Sequence, residues 1–401
     1  MKTYGIISEY NPFHNGHIRH IEATRKHGAT HIAAIMSGGF VQRGDVAVID
    51  KFRRAKIAVN NGVDLVVELP AVYSLATAEL FARAGVLMLG ALGADGISFG
   101  SECGDTELLK KASEAAVNAL LSEKLKPLME KGASYPAALQ KTVAGECGSL
   151  IAGVFDFPNN TLGVEYLKAL KFLDLNMEAF TVKRVGAMHD GYDTSGNIAG
   201  GLNIRNMIKN GGDFAPFVPP DTLRAIEEYT QSGSLAYFSN LERALLYRLR
   251  TCTPKEVAET PDVGQGGLHN RVFEMGRVAN SLGEYFEAVG TKRYTAARIR
   301  RILLNLFIGI KNTDLLTPPP FGRVLALNEK GAQILKKAAA NKEDNKYALP
   351  FMSAMKNLLN LNIPAVSRYA EISSRATDLY GLALKNIAPC ALDFTSRIEI
   401  L

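Results

Sequence analysis

Two histidines separated by an asparagine and a glycine, His14-Asn15-Gly16-His17, follow an apolar run that breaks at Asn11-Pro12. Imidazoles at the start of a helix suit phosphate chemistry. The first turn of a helix offers unpaired backbone N–H groups and a partial positive charge. Gly16 has no Cβ to keep a phosphate away from the backbone. His14 and His17 can donate hydrogen bonds to oxygens whose charge grows during phosphoryl or nucleotidyl transfer. The four letters alone fit equally a turn with one capping and one exposed histidine. Their position directly after a first strand, where open α/β sheets bind ligands, favours a nucleotide site.

A second cluster lies at Thr291-Lys292-Arg293-Tyr294, continuing through Arg298, Arg300 and Arg301. Residues 291–313 carry six basic side chains and no acid. On a helix, Tyr294, Arg298, Arg301 and Asn305 share one face, while Ile299, Ile302, Leu303, Leu306 and Ile310 share another. The apolar stripe reads as core. The basic stripe reads either as a solvated face or as an RNA contact, with guanidinium forks for phosphates and a ring for an unpaired base. Its place in the first turns, where cations oppose the helix dipole, favours RNA.

Other candidates are weaker. The turn Met36-Ser37-Gly38-Gly39-Phe40-Val41-Gln42-Arg43-Gly44-Asp45 reads as a substrate loop or a tight loop with a local ion pair. Lys51 and Arg54 face phosphate or solvent. Gly100 ends a strand at the ligand edge. Asn160 reads as part of a helix cap or as a base or ribose contact, and Arg184 and Arg205 as triphosphate clamps or surface residues. His189-Asp190 has no identifiable serine or cysteine partner, so no triad is expected.

These residues need elements to position them. Apolar strands at 4–9, 31–36, 63–69, 96–99 and 179–184 alternate with helices at 16–26, 50–60, 77–92, 105–121 and 162–173, which predicts a parallel sheet covered on both faces. No dinucleotide fingerprint or P-loop occurs, so neither dehydrogenase nor P-loop chemistry is supported. The Pro-rich strip 214–220 divides a doubly wound α/β domain, 1–213, from a mainly α-helical domain, 214–401. In the latter, helices are expected at 221–230, 240–251, 268–281, 296–309, 331–341 and 350–359, with a strand at 323–327.

The 401 residues, 47% hydrophobic and 21% charged, fit a folded globular protein. The start shows no signal-peptide pattern and no apolar run is long enough to span a bilayer. The four cysteines are far apart, so reduced thiols in the cytoplasm are expected. A net charge of +6 points weakly to a polyanionic partner.

The string Glu9-Tyr10-Asn11-Pro12-Phe13-His14-Asn15-Gly16-His17 resembles the His-x-Gly-His nucleotidyltransferase superfamily and, more narrowly, the bacterial tRNA(Met) cytidine acetate ligase family. Met36-Ser37-Gly38, Phe40-Val41-Gln42-Arg43-Gly44, Pro158-Asn159-Asn160 and Thr291-Lys292-Arg293-Tyr294 match that family in the same order. The resemblance implies a nucleotidyltransferase-like first domain and a two-step reaction. Acetate attacks the α-phosphate of ATP, giving acetyl-adenylate and pyrophosphate. The wobble cytidine of elongator tRNA-Met then takes the acetyl group, giving N4-acetylcytidine.

By the same resemblance, ATP contacts Ile7, Glu9, Tyr10, Asn11, Pro12, Phe13, His14, Asn15, Gly16, His17, His20, Gly100, Asn160, Arg184 and Arg205. His14 and His17 are then the catalytic pair. ATP comes with Mg²⁺, and no set of protein metal ligands is expected. The tRNA contacts Lys292, Arg293, Tyr294, Arg298 and Arg301, and no membrane or stable protein partner is implied. Two departures stand out. In Ile198-Ala199-Gly200-Gly201-Leu202-Asn203-Ile204-Arg205, Gly200 and Leu202 replace the superfamily's hydroxyl residues, and Gly39 replaces an asparagine. The alternatives are a small-molecule adenylyltransferase and an RNA-binding protein that has lost turnover.

Overall fold

The computed structural model describes residues 1–185, 196–264, 266–291, 294–396 and 398–400. Strand β1 (Thr3–Ser8) pairs in parallel with β2 (His31–Ser37), whose side chains are all buried. A short antiparallel hairpin, β3 (Phe40–Val41) and β4 (Asp45–Val46), follows. Then come β5 (Leu65–Leu69), β6 (Gly96–Ser101) and β7 (Glu178–Lys183). The sheet is completed by β8 (Gly322–Leu327), β9 (Phe351–Met352) and β10 (Glu399–Ile400). Strand order is β10-β8-β5-β2-β1-β6-β7, with β9 beside β8. From β5 to β7 every pairing is parallel, and β8 runs antiparallel to β5.

The principal helices are α1 (Asn15–Lys26), α2 (Lys51–Asn60), α3 (Ala78–Ala91), α4 (Thr106–Leu121), α5 (Pro158–Phe172) and α6 (Gly201–Asn210). The C-terminal half adds α7 (Pro220–Gln231), α8 (Glu242–Thr251), α9 (Leu268–Val278), α10 (Leu282–Val289), α11 (Ala296–Ile308), α12 (Glu329–Ala340) and α13 (Pro364–Tyr380). No helix among the described residues is long and apolar enough to cross a membrane.

The two-residue period of the strands sorts the core. Ile7, Ala33, Ile35, Leu65 and Val67 pack on one face, and Tyr4, Ile6, Ile32, Ala34, Met36 and Val66 on the other. Gly5 lets α3 approach β1, since a Cβ there would lie 2.3 Å from the Leu89 methyls. The chain steps from β1 to β2 and β5 on one side, then crosses to β6 and β7 on the other. The reversal opens a crevice at the carboxyl ends of β1 and β6, where ligands bind in such sheets.

This is the expected doubly wound α/β fold followed by a mainly helical region, with two differences. The C-terminal half also supplies strands β8, β9 and β10 to the same sheet. The helix expected at 350–359 is instead β9 and a short helix, Met355–Leu359. Phe351 and Met352 are drawn into the sheet by pairing with Gly322 and Arg323, so the helix starts only at Met355.

Asp50 caps α2, accepting from the Phe52 and Arg53 N–H groups. Lys51 and Arg54, expected at a phosphate or in solvent, are both buried. Lys51 pairs with Glu68 at 2.7 Å and Asp393 at 2.8 Å, and Arg323 reaches Asp393 at 2.6 Å. Arg54 donates to the carbonyl oxygens of Ile49, Glu9, Ser37 and Gly38. It thereby ties the loops that leave β1 and β2 to the start of α2. Replacing Arg54 with methionine leaves those buried acceptors without a donor. The expected loss is about 3 kcal/mol or more in denaturant unfolding, and Lys, a single-point donor, should not restore it.

Candidate active site

The crevice floor is the loop from β1 to α1. Tyr10, Pro12 and Phe13 are buried in it, and the Tyr10 and Phe13 rings meet at 4.9 Å. Tyr10 has φ +46°, a conformation uncommon outside glycine, and the Asn11–Pro12 bond is cis. The Asn11 side chain is committed to the protein, donating to Val46 O and accepting from Val48 N–H at 2.9 Å. Asn15 is similarly engaged, with its Nδ2 on Asn197 O at 2.9 Å and Pro216 O at 3.0 Å. Glu9 accepts from Gln42 N–H at 2.9 Å, and Ile7 packs in the core beneath.

His14 is the N-cap of α1, and the two histidines cap reciprocally. His14 Nδ1 accepts from Gly16 N–H and His17 Nδ1 accepts from His14 N–H, both at 3.1 Å. In a neutral imidazole one nitrogen accepts and the other carries the proton. Both rings therefore hold their proton on Nε2, available to a ligand. They stack at 3.7 Å with 23° between planes. Gly16 makes this possible, because a Cβ there would lie 2.8 Å from the His14 ring. His20, one turn on, meets Ser98 Oγ of β6 through Nε2 at 2.8 Å.

The other walls come from β6, β7, α5 and α6. Asn160 Oδ1 accepts from the N–H groups of Glu102 and Cys103, holding the loop beyond Gly100. The α5 cap is Phe157, so Asn160 is a strut within the first turn rather than part of a cap. Arg184 follows β7, and a Cβ on Gly100 would meet its Cγ at 3.3 Å. Arg184 lies in the crevice mouth, surrounded by protein with its outer side exposed. Arg205 of α6 donates to Asn11 O at 2.7 Å. The α6 N-cap is Gly200, which has no side-chain cap, and Gly201 lies against Asn11 O. Where a hydroxyl was expected, this chain leaves the first-turn N–H groups of a second helix beside the α1 loop.

Burial holds the histidines neutral. It pushes His14 down to about 3 from 6.5, with Arg184 and Arg205 adding to the effect. His17 is held well below its usual value by burial, then by His14, Arg184 and His20. Burial and Arg184 lower His20 to about 4. Positive charge at the crevice is thus left to the guanidinium groups and helix ends, with neutral Nε2–H donors between them. No cluster of three or more His, Cys, Asp or Glu side chains among the described residues could hold a metal.

The basic helix is α11, and its polar face differs from expectation. Arg301 is buried, with Nε 3.0 Å from Asp262 Oδ2 and Nη1 3.4 Å from Gln42 O. Asn305 is fully buried and donates to Leu75 O. Arg298 is half-buried, bonded through Nε to Asp262 O at 2.9 Å and lying over the Tyr294 ring at 5.3 Å. Arg300 sits over the Phe238 and Phe286 rings. The stripe is therefore packed against the loop carrying Asp262 instead of presented whole to solvent, and Arg301 in particular is a tie. Lys292 and Arg293 lie outside the described residues, as does His189-Asp190. Helical spacing identifies the shared face, but Asp262, 36 to 39 residues upstream, carries no signal that it covers that face.

The buried imidazoles make a measurable prediction. His14, His17 and His20 have depressed folded-state pKa values, so their contribution to stability is complete above about pH 6.5 and is lost as pH falls towards 4 and 3. In ligand-free protein their ring resonances should keep neutral-form shifts down to about pH 5. Titration of His14 near 6.5 would remove the buried neutral pair.

Known proteins match this chain over nearly its whole length. A family model described as HIGH Nucleotidyl Transferase matches residues 1–392. The tRNA(Met) cytidine acetate ligase of Alkaliphilus metalliredigens is 35% identical over 418 residues, spanning 97% of this chain and 96% of that one. Its counterpart in Caldanaerobacter subterraneus subsp. tengcongensis is 37% identical over 404 residues and 98% of both chains. Two crystal structures of Thermotoga maritima TmcAL, one bound with alpha-thio ATP and one apo, match with TM-scores of 0.89 and 0.90. They are 27% and 28% identical, over the full length of both chains. The resemblance carried by the ordered motifs is borne out, and the chain belongs to the tRNA(Met) cytidine acetate ligase family of HIGH nucleotidyl transferases.

Proposed function

We propose that this protein activates acetate with ATP and transfers the acetyl group to N4 of the wobble cytidine in elongator tRNA-Met, in the cytoplasm where tRNA is used. The observation that carries the reading is the reciprocally capped histidine pair at the crevice floor, between Arg184, Arg205 and two helix N-termini. Its relatives' names support the substrates, and the alpha-thio ATP bound to the Thermotoga protein supports the nucleotide.

In the first step an acetate oxygen bonds to the α-phosphorus while the bond to the bridging oxygen breaks and pyrophosphate leaves. Acetate is ionised at neutral pH, so no strong protein base is required. The demand is in-line positioning and neutralisation of charge growing on the leaving group. The Nε2–H groups of His14 and His17 meet that demand without rearranging, because their Nδ1 atoms are already fixed by the backbone. Arg184, Arg205 and the first turns of α1 and α6 supply charge. A Mg²⁺ accompanying ATP would be held chiefly by phosphate oxygens and water and would screen charge on the pyrophosphate. In the second step the cytidine amine bonds to the acetyl carbon, the mixed anhydride breaks, AMP leaves and the amine gives up a proton.

In this reading residues 1–213 carry the nucleotide chemistry and 214–401 the RNA contacts. Tyr294 and Arg298, with Lys292 and Arg293, would touch the tRNA, while Arg301 would hold α11 in place for them.

Purified protein incubated with ATP, labelled acetate and bulk tRNA should place label in tRNA and show acetate-dependent pyrophosphate exchange. Acetate-independent transfer of AMP to a small molecule would sink the proposal. His17→Asn keeps an acceptor for the His14 N–H but loses the Nε2–H. It should fold normally while exchange falls by about 10²-fold. Arg298→Ala with Tyr294→Ala should weaken tRNA binding and flatten its dependence on salt. Arg301→Ala should act first on stability, costing about 1–3 kcal/mol by leaving Asp262 with Arg298 as its remaining cation.

A further inference from the structure

The β3–β4 hairpin is held from both sides. On the nucleotide side, Gln42 N–H donates to Glu9 Oε1 at 2.9 Å, and Asn11 bridges Val46 O and Val48 N–H. On the other, Gly44 packs against α11 so closely that a Cβ would lie 2.5 Å from Arg300 Cβ and 2.7 Å from Arg301 N. Its φ of +71° independently demands glycine. Arg301 also reaches Gln42 O, and Phe40, Val41 and Val46 are buried. The hairpin is a rigid strut whose tip residue, Arg43, is exposed.

Arg43 has neither a hydrogen bond nor an ion pair among the described residues. Every other arginine of this neighbourhood outside the crevice is occupied: Arg54 on carbonyls, Arg298 and Arg301 on Asp262, Arg300 on two rings. Burial disfavours the charge on Arg184 and on Arg205, and Arg43 adds like-charge repulsion to both. Glu102 offsets this at Arg184, and Asp45 and Glu9 offset it at Arg205. Arg43, at the tip of the strut, is thus near enough to Arg184 and Arg205, on two other elements, to repel both. An anion between them removes the repulsion and uses their donors.

We propose that Arg43 is a substrate-contacting residue of the nucleotide crevice, carried there by the hairpin to bind an anionic oxygen of the reactants. That oxygen belongs to the phosphate chain of ATP or to the acetate carboxylate that must be brought against it. A planar fork serves either, and two anions that repel each other need a cation beside their meeting point. The acetate arm rests on the ligase reading, and the ATP arm rests only on the crevice binding a nucleotide.

The test compares Arg43→Ala and Arg43→Lys with the parent protein. ATP affinity is measured by calorimetry without acetate, acetate KM by pyrophosphate exchange at saturating ATP, and tRNA affinity by filter binding. Thermal unfolding should be unchanged, because Arg43 is exposed and bonds to no described residue. Arg43→Ala should raise either the ATP Kd or the acetate KM by about tenfold or more, with Lys in between. A change in ATP Kd assigns the phosphate, and a change in acetate KM alone assigns the carboxylate. Unchanged values for both, or a loss confined to tRNA affinity, would overturn the proposal. Parent protein that binds ATP but shows no acetate-dependent exchange would remove the ligase reading while the ATP arm still reports on Arg43.

Discussion

A buried guanidinium sets the geometry of the crevice. Arg54 is fully buried and finds its donors' partners in backbone carbonyls on both sides of the site, those of Glu9, Ser37, Gly38 and Ile49. Burying that charge without such partners would be costly, and the loops' own carbonyls would be orphaned without it. Each side of the bargain requires the other. The loop that presents His14 therefore cannot move relative to the end of β2, nor can the hairpin that springs from β2.

On that frame the site works with fixed neutral donors. Free histidines in water would fluctuate in tautomer and orientation. Here two backbone N–H groups occupy the δ nitrogens, and burial keeps the rings unprotonated. Protonated rings would bind a triphosphate more strongly at rest, which favours the ground state as much as the transition state. In the proposed adenylation, neutral Nε2–H groups would interact most with the oxygens that gain charge as the phosphorus–oxygen bond breaks. The reciprocal capping thus selects one tautomer and spends no reorganisation at the moment of reaction.

Much of this was legible in the chain. The apolar strands β1, β2 and β5 show their burial in composition, and the break at Asn11-Pro12 followed by His14 and His17 marks the crevice directly. Arg184 and Arg205 line it as their positions beyond strand and loop suggested. What could not be read was the allocation of polar side chains between ligand and scaffold. Asn11, Asn15, Lys51 and Arg54 look like ligand-binding residues by type, yet their partners are backbone N–H and C=O groups or charged side chains of other elements, brought close only by the fold. A period of 3.6 residues places Arg298 and Arg301 on one face but says nothing of what packs over it.

The packed face of α11 also alters how charge is presented on the side proposed to meet RNA. Asp262 lies beside two guanidinium groups, those of Arg298 and Arg301, so one carboxylate is shared by two cations and the patch keeps an excess of positive charge. Screening in water confines such a patch to contacts within roughly 10 Å, so its location matters more than its size. That location is mechanically linked to the crevice. Arg301 touches Gln42, Gln42 touches Glu9, and Glu9 heads the loop that presents His14. In the proposed reaction, a base drawn toward the crevice by contacts at the start of α11 would meet a wall already in register with the reacting phosphate. Fixed registration of this kind suits a reaction whose second step must outrun hydrolysis of a mixed anhydride, since the acceptor need not wait for a domain to close.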